Sequence, residues 1–221
     1  MDFNIRPMNL GDVFQVAEIE RDAFPTTWPP TPLKKELSNH LAGYLVAWSE
    51  LTEQAGDDLQ PESPSTLEVP KPWVRQLISN MRNLLAPPSD GSGELTQFIA
   101  GYVGMWFMVD DAHITSIAVR QEYRRLGLGE LLLISAVEMA MLRRSQRVTL
   151  EVRVSNFPAH VLYEKYGFHK VGVRKRYYAD NHEDAVIMTT DSIHTPKYLD
   201  MFQGRVAAFS QRRGEAVRTL A

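Results

Sequence analysis

The spacing of hydrophobic and polar positions changes several times along the chain, and each change marks an element. Residues 3–7 (FNIRP) read as a short strand. Beyond Asn9 and Asp12, either of which suits a helix cap, Val13, Val16, Ala17, Glu20 and Phe24 keep helical spacing. Pro25, Pro29, Pro30 and Pro32 break that helix, a second covers Leu33–His40, and residues 43–48 (GYLVAW) form a buried strand. From about residue 49 to 96 the pattern dissolves. Glu50, Glu53, Asp57, Asp58, Glu62 and Glu68 occur with no Lys or Arg among them, and Pro and Ser interrupt the run. Trp73, Val74, Leu77, Ile78, Met81 and Leu84 restore helical spacing before a flexible return, PPSDGSG (87–93). A compact domain rarely needs so long a connection, so residues 49–96 are expected to be an insertion whose helix packs on the parent domain or meets a partner.

From Gln97 the pattern tightens. QFIAGYVGMWFMV is a long strand, with Gly101 and Gly104 suggesting a bulge. A tight turn at Asp110 and Asp111 leads to strand 113–119 (HITSIAV), and a helix follows over about Gly127–Arg144. In RVTLEVRV (147–154), Val148, Leu150, Val152 and Val154 take one face and leave Glu151 on the other. A helix over Asn156–Tyr166 precedes a final strand pair, FHKVGVRKRYY and EDAVIMTT, turning around Ala179–His182. The order β-α-α-β-(insertion)-β-β-α-β-α-β-β predicts an α/β (α+β) chain with a mixed sheet. Residues 195–211 read as one more helix, capped by Thr195 with Pro196 at its first position and Tyr198, Phe202 and Phe209 on its apolar side. The expected organisation is a domain over 1–190 and a C-terminal extension over 191–221.

Composition narrows the class. The 221 residues are 44% apolar and 23% charged, which suits a soluble globular protein. A net charge of −3 leaves no electrostatic footprint for nucleic acid, so none is expected as partner. With no cysteine there is neither a disulfide, a thiolate metal site nor a cysteine nucleophile. The start of the chain lacks a signal pattern and no apolar run reaches bilayer length, so the expected compartment is the cytoplasm, away from membranes. The histidines show no metal-ligand spacing, and no metal is expected; His113, at a strand start, reads as structural.

One loop carries recognisable chemistry. After strand 113–119 comes Arg124-x-x-Gly127-x-Gly129 at a strand-to-helix junction. A pyrophosphate needs several backbone N–H groups in one concavity. Glycines allow close approach and unusual dihedrals, the helix start adds its dipole, and Arg124 and Arg125 add mobile charge. An ordinary glycine turn has the same short pattern. The sequence holds no GxxxxGK[ST] loop, and the spacing is too short for GxGxxG.

V-R-x-x-x-R-R-x-G-x-G ahead of an apolar helix resembles the acyl-CoA loop of the GCN5-related N-acetyltransferase (GNAT) superfamily, and the strand order is similar. LEVRVSNFPAHVLYEKYGF (150–168) and RKRYYADNHEDAVIM (174–188) resemble the RimI-type branch, the ribosomal-protein-alanine N-acetyltransferases. The likeness is loose over 3–48 and close over 97–190; the insertion and the tail depart from it. It implies a mostly antiparallel sheet with two splayed parallel strands and acetyl-CoA as co-substrate. It also implies cofactor contacts from Arg124, Arg125, Leu126, Gly127, Leu128, Gly129 and Glu130, from the backbone of Ile117, Ala118 and Val119, and from Asn156. Glu151 is the candidate base, although a strand glutamate is also simply solvated. Tyr163 is the candidate proton donor to the leaving thiolate, although an aromatic core residue fits that position too. Tyr177 and Tyr178 are candidate walls of a peptide groove, or merely exposed hairpin tyrosines. An α-amine titrates near 8 and lysine near 10.4, a difference of about 3 kcal/mol that slightly favours an N-terminus as acceptor. The expected reaction is acetylation of a protein N-terminus, that of a small-subunit ribosomal protein beginning with alanine. The alternatives are a lysine or small-amine acetyltransferase and a non-catalytic acyl-CoA-binding module. The oligomeric state is open.

Overall fold

A computed structural model describes residues 1–24, 30–50 and 97–220. The expectations for Pro25 and Pro29, for the acidic stretch after Glu50, for the helix at 73–84 and for the 87–93 return lie outside the described residues. Residues Met1–Ser49 and Gln97–Ala221 form one compact unit. Its elements are β1 (Asn4–Pro7), a short 3-10 turn (Leu10–Asp12), α1 (Val13–Ala23), α2 (Leu33–Glu36), β2 (Ala42–Glu50), β3 (Gln97–Phe107), β4 (Asp111–Val119), α3 (Leu128–Leu142), β5 (Arg147–Arg153), α4 (Phe157–Lys165), β6 (Phe168–Arg174), β7 (Ala185–Thr190) and α5 (Pro196–Arg213). The strands make one sheet of order β1-β2-β3-β4-β5-β7-β6. The β4–β5 pair is parallel, whereas β1–β2, β3–β4, β5–β7 and β6–β7 are antiparallel.

Asn9 and Asp12 form a capping box on the 3-10 turn that leads into α1, and neither side chain caps α1 itself. The Asn9 side chain accepts from the Gly11 N–H, and Asp12 accepts from the Asn9 N–H at 2.8 Å. Helix α2 stops at Glu36 rather than His40, because Asn39 turns the chain into β2. Its side chain accepts from the Leu41 N–H at 3.0 Å and its carbonyl from the Ala42 N–H. Strand β5 ends at Arg153, so Val154 leaves the apolar face and is exposed. Thr195 caps α5, its hydroxyl accepting from the Tyr198 N–H.

Strands β2 and β3 are buried on both faces. In β2, Leu45 and Ala47 join the core around α3 and α5, while Tyr44 and Val46 join the core under α1 and α2. A strand covered on both sides needs an unbroken apolar run, which is what residues 43–48 supply. Helix α3 is buried almost all round from Leu128 to Ala140 and serves as the central support. Tyr198, Phe202 and Phe209 of α5 are buried in the same core. Beyond α5, residues 217–219 lie along the outer side of β1. The Ile5 N–H donates to the Val217 carbonyl, the Thr219 N–H donates to the Ile5 carbonyl, and Arg218 pairs with Glu138 of α3 at 2.8 and 3.0 Å.

A register shift falls at Gly104, but the extra residue lies on the facing strand. Gly104 pairs with Ser116 and Met105 with Ile114, leaving Thr115 of β4 without a partner. Gly104 is required there for space, since a Cβ would sit 2.6 Å from the Tyr44 ring and 2.9 Å from the Ser116 hydroxyl.

Candidate active site

The parallel strands separate just past that bulge. β4 and β5 pair only over Asp111–Ile114 against Arg147–Leu150. Beyond, β4 stays with β3 while β5 continues beside β7, with Glu151 opposite Ile187. The bulge at Thr115 bends β4 away and opens a wedge between the strands. The Arg120 N–H donates to Ala100 of β3 at 2.8 Å. By the alternation of the ladder, the backbone groups of Ile117 and Val119 therefore face the wedge and those of Ala118 face β3. Of the three residues expected to offer backbone contacts, Ile117 and Val119 turn theirs to the wedge, while Ala118 turns its backbone to β3 and has a buried side chain.

At the wide end of the wedge lies the glycine loop. The N–H groups of Arg125, Leu126, Gly127, Leu128, Gly129 and Glu130 donate to no acceptor among the described residues. Six consecutive free donors at the start of a buried helix form a ready anion site. Arg125 has φ 66° and Gly127 φ 95°, left-handed conformations that turn successive amides toward one side. A Cβ on Gly129 would meet nothing within 4 Å, which leaves its backbone open to a close approach. Leu128 is buried and holds the helix start in the core, whereas Leu126 is exposed. Arg124 is exposed, and its Nε donates to the wedge-facing Val119 carbonyl at 3.1 Å. The Glu130 carboxylate turns away from solvent toward Lys165, Tyr166 (2.6 Å) and Arg212 (3.3 Å). Burial pushes its pKa up, but the hydrogen bonds from Lys165 and Tyr166 outweigh this and hold it below the usual range. The residues present fit a pyrophosphate.

Glu151 lies where the wedge narrows. Its Oε2 is 3.0 Å from His113 Nε2 and its Oε1 is 3.0 Å from Arg174 Nε, with only 8% of the side chain exposed. The hydrogen bond from His113 is the main reason its pKa lies below the ordinary carboxylate value; burial opposes, and Arg174 reinforces the drop. The parallel pairing explains the contact. His113 is opposite Thr149, and Glu151 lies two residues on, on the same face. His113, read from sequence as structural, is thus part of the Glu151 cluster, as is Arg174; neither carries a local sequence signal.

Tyr177 and Tyr178 pack edge to face at 5.2 Å beside this cluster. Tyr177 is exposed beneath the Arg174 guanidinium, and Tyr178 is half-buried with Arg153 3.8 Å above its ring. Burial pushes the Tyr178 phenol up to about 12, against the opposing pull of Arg153. Tyr163 is buried in α4 against Phe168, 5.8 Å between ring centres, and its hydroxyl bonds to no other described residue. Burial raises its pKa far above neutrality, so the phenol keeps its proton. Asn156 is not within the helix as expected but caps it, its side chain accepting from the Ala159 N–H at 3.3 Å. It is exposed, one turn before α4 reaches His160, whose Nε2 meets the Arg153 carbonyl. Among the described residues, no group of three or more His, Asp or Glu side chains could hold a metal ion, and no helix is long and apolar enough to cross a membrane.

Comparisons with known proteins agree with this geometry. Residues 52–168 match the profile of the "Acetyltransferase (GNAT) family". A Bacillus subtilis protein named "Putative ribosomal protein bS18-alanine N-acetyltransferase" is 37% identical over 185 residues, 83% of this chain and 92% of that one. An "N-alpha-acetyltransferase" of Sulfurisphaera tokodaii is 32% identical over 85% of this chain and 92% of its own. The crystal structure of the Escherichia coli ribosomal-protein-S18-alanine N-acetyltransferase superposes with a TM-score of 0.55 at 22% identity, covering 86% of this chain and 94% of that one.

Proposed function

The chain belongs to the GNAT acetyltransferase family and is an acetyl-CoA-dependent N-acetyltransferase; from that premise we propose that its acceptor is the N-terminal α-amine of a protein, specifically the alanine of a small-subunit ribosomal protein such as bS18. The observation that carries this reading is the likeness over most of both chains to a protein named for bS18-alanine acetylation. Such a substrate also puts the reaction in the cytoplasm.

Acetyl-CoA, when bound, supplies an acetyl group activated as a thioester. The free amides of Arg125–Glu130, with Arg124 and Arg125, are suited to hold its pyrophosphate. The wedge-facing amides of Ile117 and Val119 are suited to its amide-bearing arm and to polarising the acyl carbonyl, with Asn156 at the opposite wall. Glu151 accepts the acceptor amine's proton, directly or through a water, and stays ionised at neutral pH because His113 and Arg174 grip its two oxygens. Tyr163 keeps the proton that the departing sulfur needs. Tyr177 and Tyr178 offer aromatic faces beside Glu151 to an extended N-terminus.

The test is mass spectrometry of the purified protein with acetyl-CoA and two peptides. One starts with a free alanine; the other has a blocked N-terminus and an internal lysine. One added acetyl group on the first peptide alone is expected. Modification of the second alone moves the acceptor to lysine and overturns the proposal.

A further inference from the structure

Helix α5 ends against the cofactor loop. A Cβ built on Gly127 would lie 3.4 Å from the Phe209 ring and 3.3 Å from Arg213 Nε. The Arg213 Nη2 reaches the Arg125 carbonyl at 3.5 Å, and Arg212 shares Glu130 with Lys165 and Tyr166. The helix is fixed there by the buried Tyr198, Phe202 and Phe209 and by the Tyr198 hydroxyl, which donates to the Tyr166 carbonyl at 3.0 Å. Gly214, at φ 82°, ends the helix immediately after Arg213, so no further turn covers that guanidinium.

We propose that Arg213, delivered by the C-terminal helix, is a phosphate-binding residue of the acetyl-CoA site. The inference rests on the acetyl-CoA reading above. Coenzyme A carries a pyrophosphate and a separate 3′-phosphate, more negative charge than one helix start offsets. The free amides of 125–130 suit the pyrophosphate, which leaves the phosphates short of cations. Of the other arginines near the loop, Arg125 stands with the pyrophosphate, Arg124 spends its Nε on the Val119 carbonyl, and Arg212 is spent on Glu130 and the Ala208 carbonyl. Arg213 spends one donor on a long contact to the same loop and is otherwise exposed, with the remaining guanidinium donors uncommitted among the described residues. Among the described residues Arg213 makes no ion pair, and Glu130 is held by Lys165 and Arg212. A planar guanidinium held by a packed helix at the lip of six free amides is arranged for a phosphate.

The test is calorimetric titration of acetyl-CoA, and of coenzyme A lacking the 3′-phosphate, into the full chain and three variants. Arg213→Gln is expected to weaken acetyl-CoA binding about tenfold, Arg213→Lys to recover part of the loss, and Lys197→Gln, at the far end of α5, to change nothing. Loss confined to the intact coenzyme assigns Arg213 to the 3′-phosphate; loss with both ligands assigns it to the pyrophosphate. Parental affinity for both ligands in Arg213→Gln overturns the proposal, even if its Tm falls, because that is the signature of a purely structural contact. A parent that binds neither ligand overturns the acetyl-CoA reading itself and the role of Arg213 with it.

Discussion

At the residue scale, the proposed chemistry turns on a carboxylate held at both oxygens. Glu151 was legible in the sequence because strand alternation set it apart from Val148, Leu150 and Val152. Its partners were not, since His113 and Arg174 reach it only through the pairing of β4 with β5, of β5 with β7 and of β7 with β6. The grip has a signed consequence. A carboxylate whose pKa is lowered on folding contributes stability above its unfolded pKa, near 4.3, and loses it as pH falls through the folded value. It is therefore ionised wherever the α-amine titrates. For an alanine-starting peptide, kcat/KM is expected to rise with pH up to about 8, the amine's own pKa, with no inflection near 4–5 from Glu151. Glu151→Gln is expected to lower kcat about a hundredfold while the acetyl-CoA Kd holds. Steady-state kinetics across pH, beside calorimetry, checks both; a matching loss in Kd would give Glu151 a structural role instead.

At the element scale, the wedge is made by one unpaired residue and one absent side chain. The strands, their order and most helices could be read from hydrophobic spacing, which reports burial. The splay could not, because a bulge is a property of cross-strand register and appears only when β3 meets β4. The sequence did signal Gly104, but the extra residue is Thr115 on the other strand. Two glycines separate packing from ligand approach. Gly104→Ala forces a methyl into the Tyr44 ring and is expected to cost about 1–3 kcal/mol of stability, read from the urea midpoint. Gly129→Ala meets nothing in the protein, so its midpoint is expected to hold or rise while acetyl-CoA binding weakens. Unchanged binding in Gly129→Ala would remove the loop from the phosphate site.

At the scale of the whole molecule, the proposed cofactor site draws on distant parts of the chain: the β4–α3 loop, β5, α4 and the end of α5. Residues 191–221 read as an extension outside the family pattern, yet α5 is sealed into the main core by Tyr198, Phe202 and Phe209. Hydrophobic spacing predicted that helix, but nothing local shows that its end lies against Gly127. A ligand bridging these parts stabilises them together. At a hundredfold excess over Kd, acetyl-CoA is expected to add about 2.7 kcal/mol, raising Tm by about 5–10 °C. Differential scanning fluorimetry with and without the ligand measures this; a flat Tm at saturation would mean that the folded and unfolded chains bind equally.

The contact between residues 217–219 and β1 also sets a schedule. Asn4 and Val217, hydrogen-bonded in the folded chain, are 213 positions apart. At about 5–20 residues per second, a ribosome makes β1 at least ten seconds before the segment that covers its outer side. For that interval the nascent sheet has an open edge, able to recruit strands from other chains. Arg213 arrives in the same late stretch, so on the proposed assignment the cofactor loop gains its last cation just before that edge is covered.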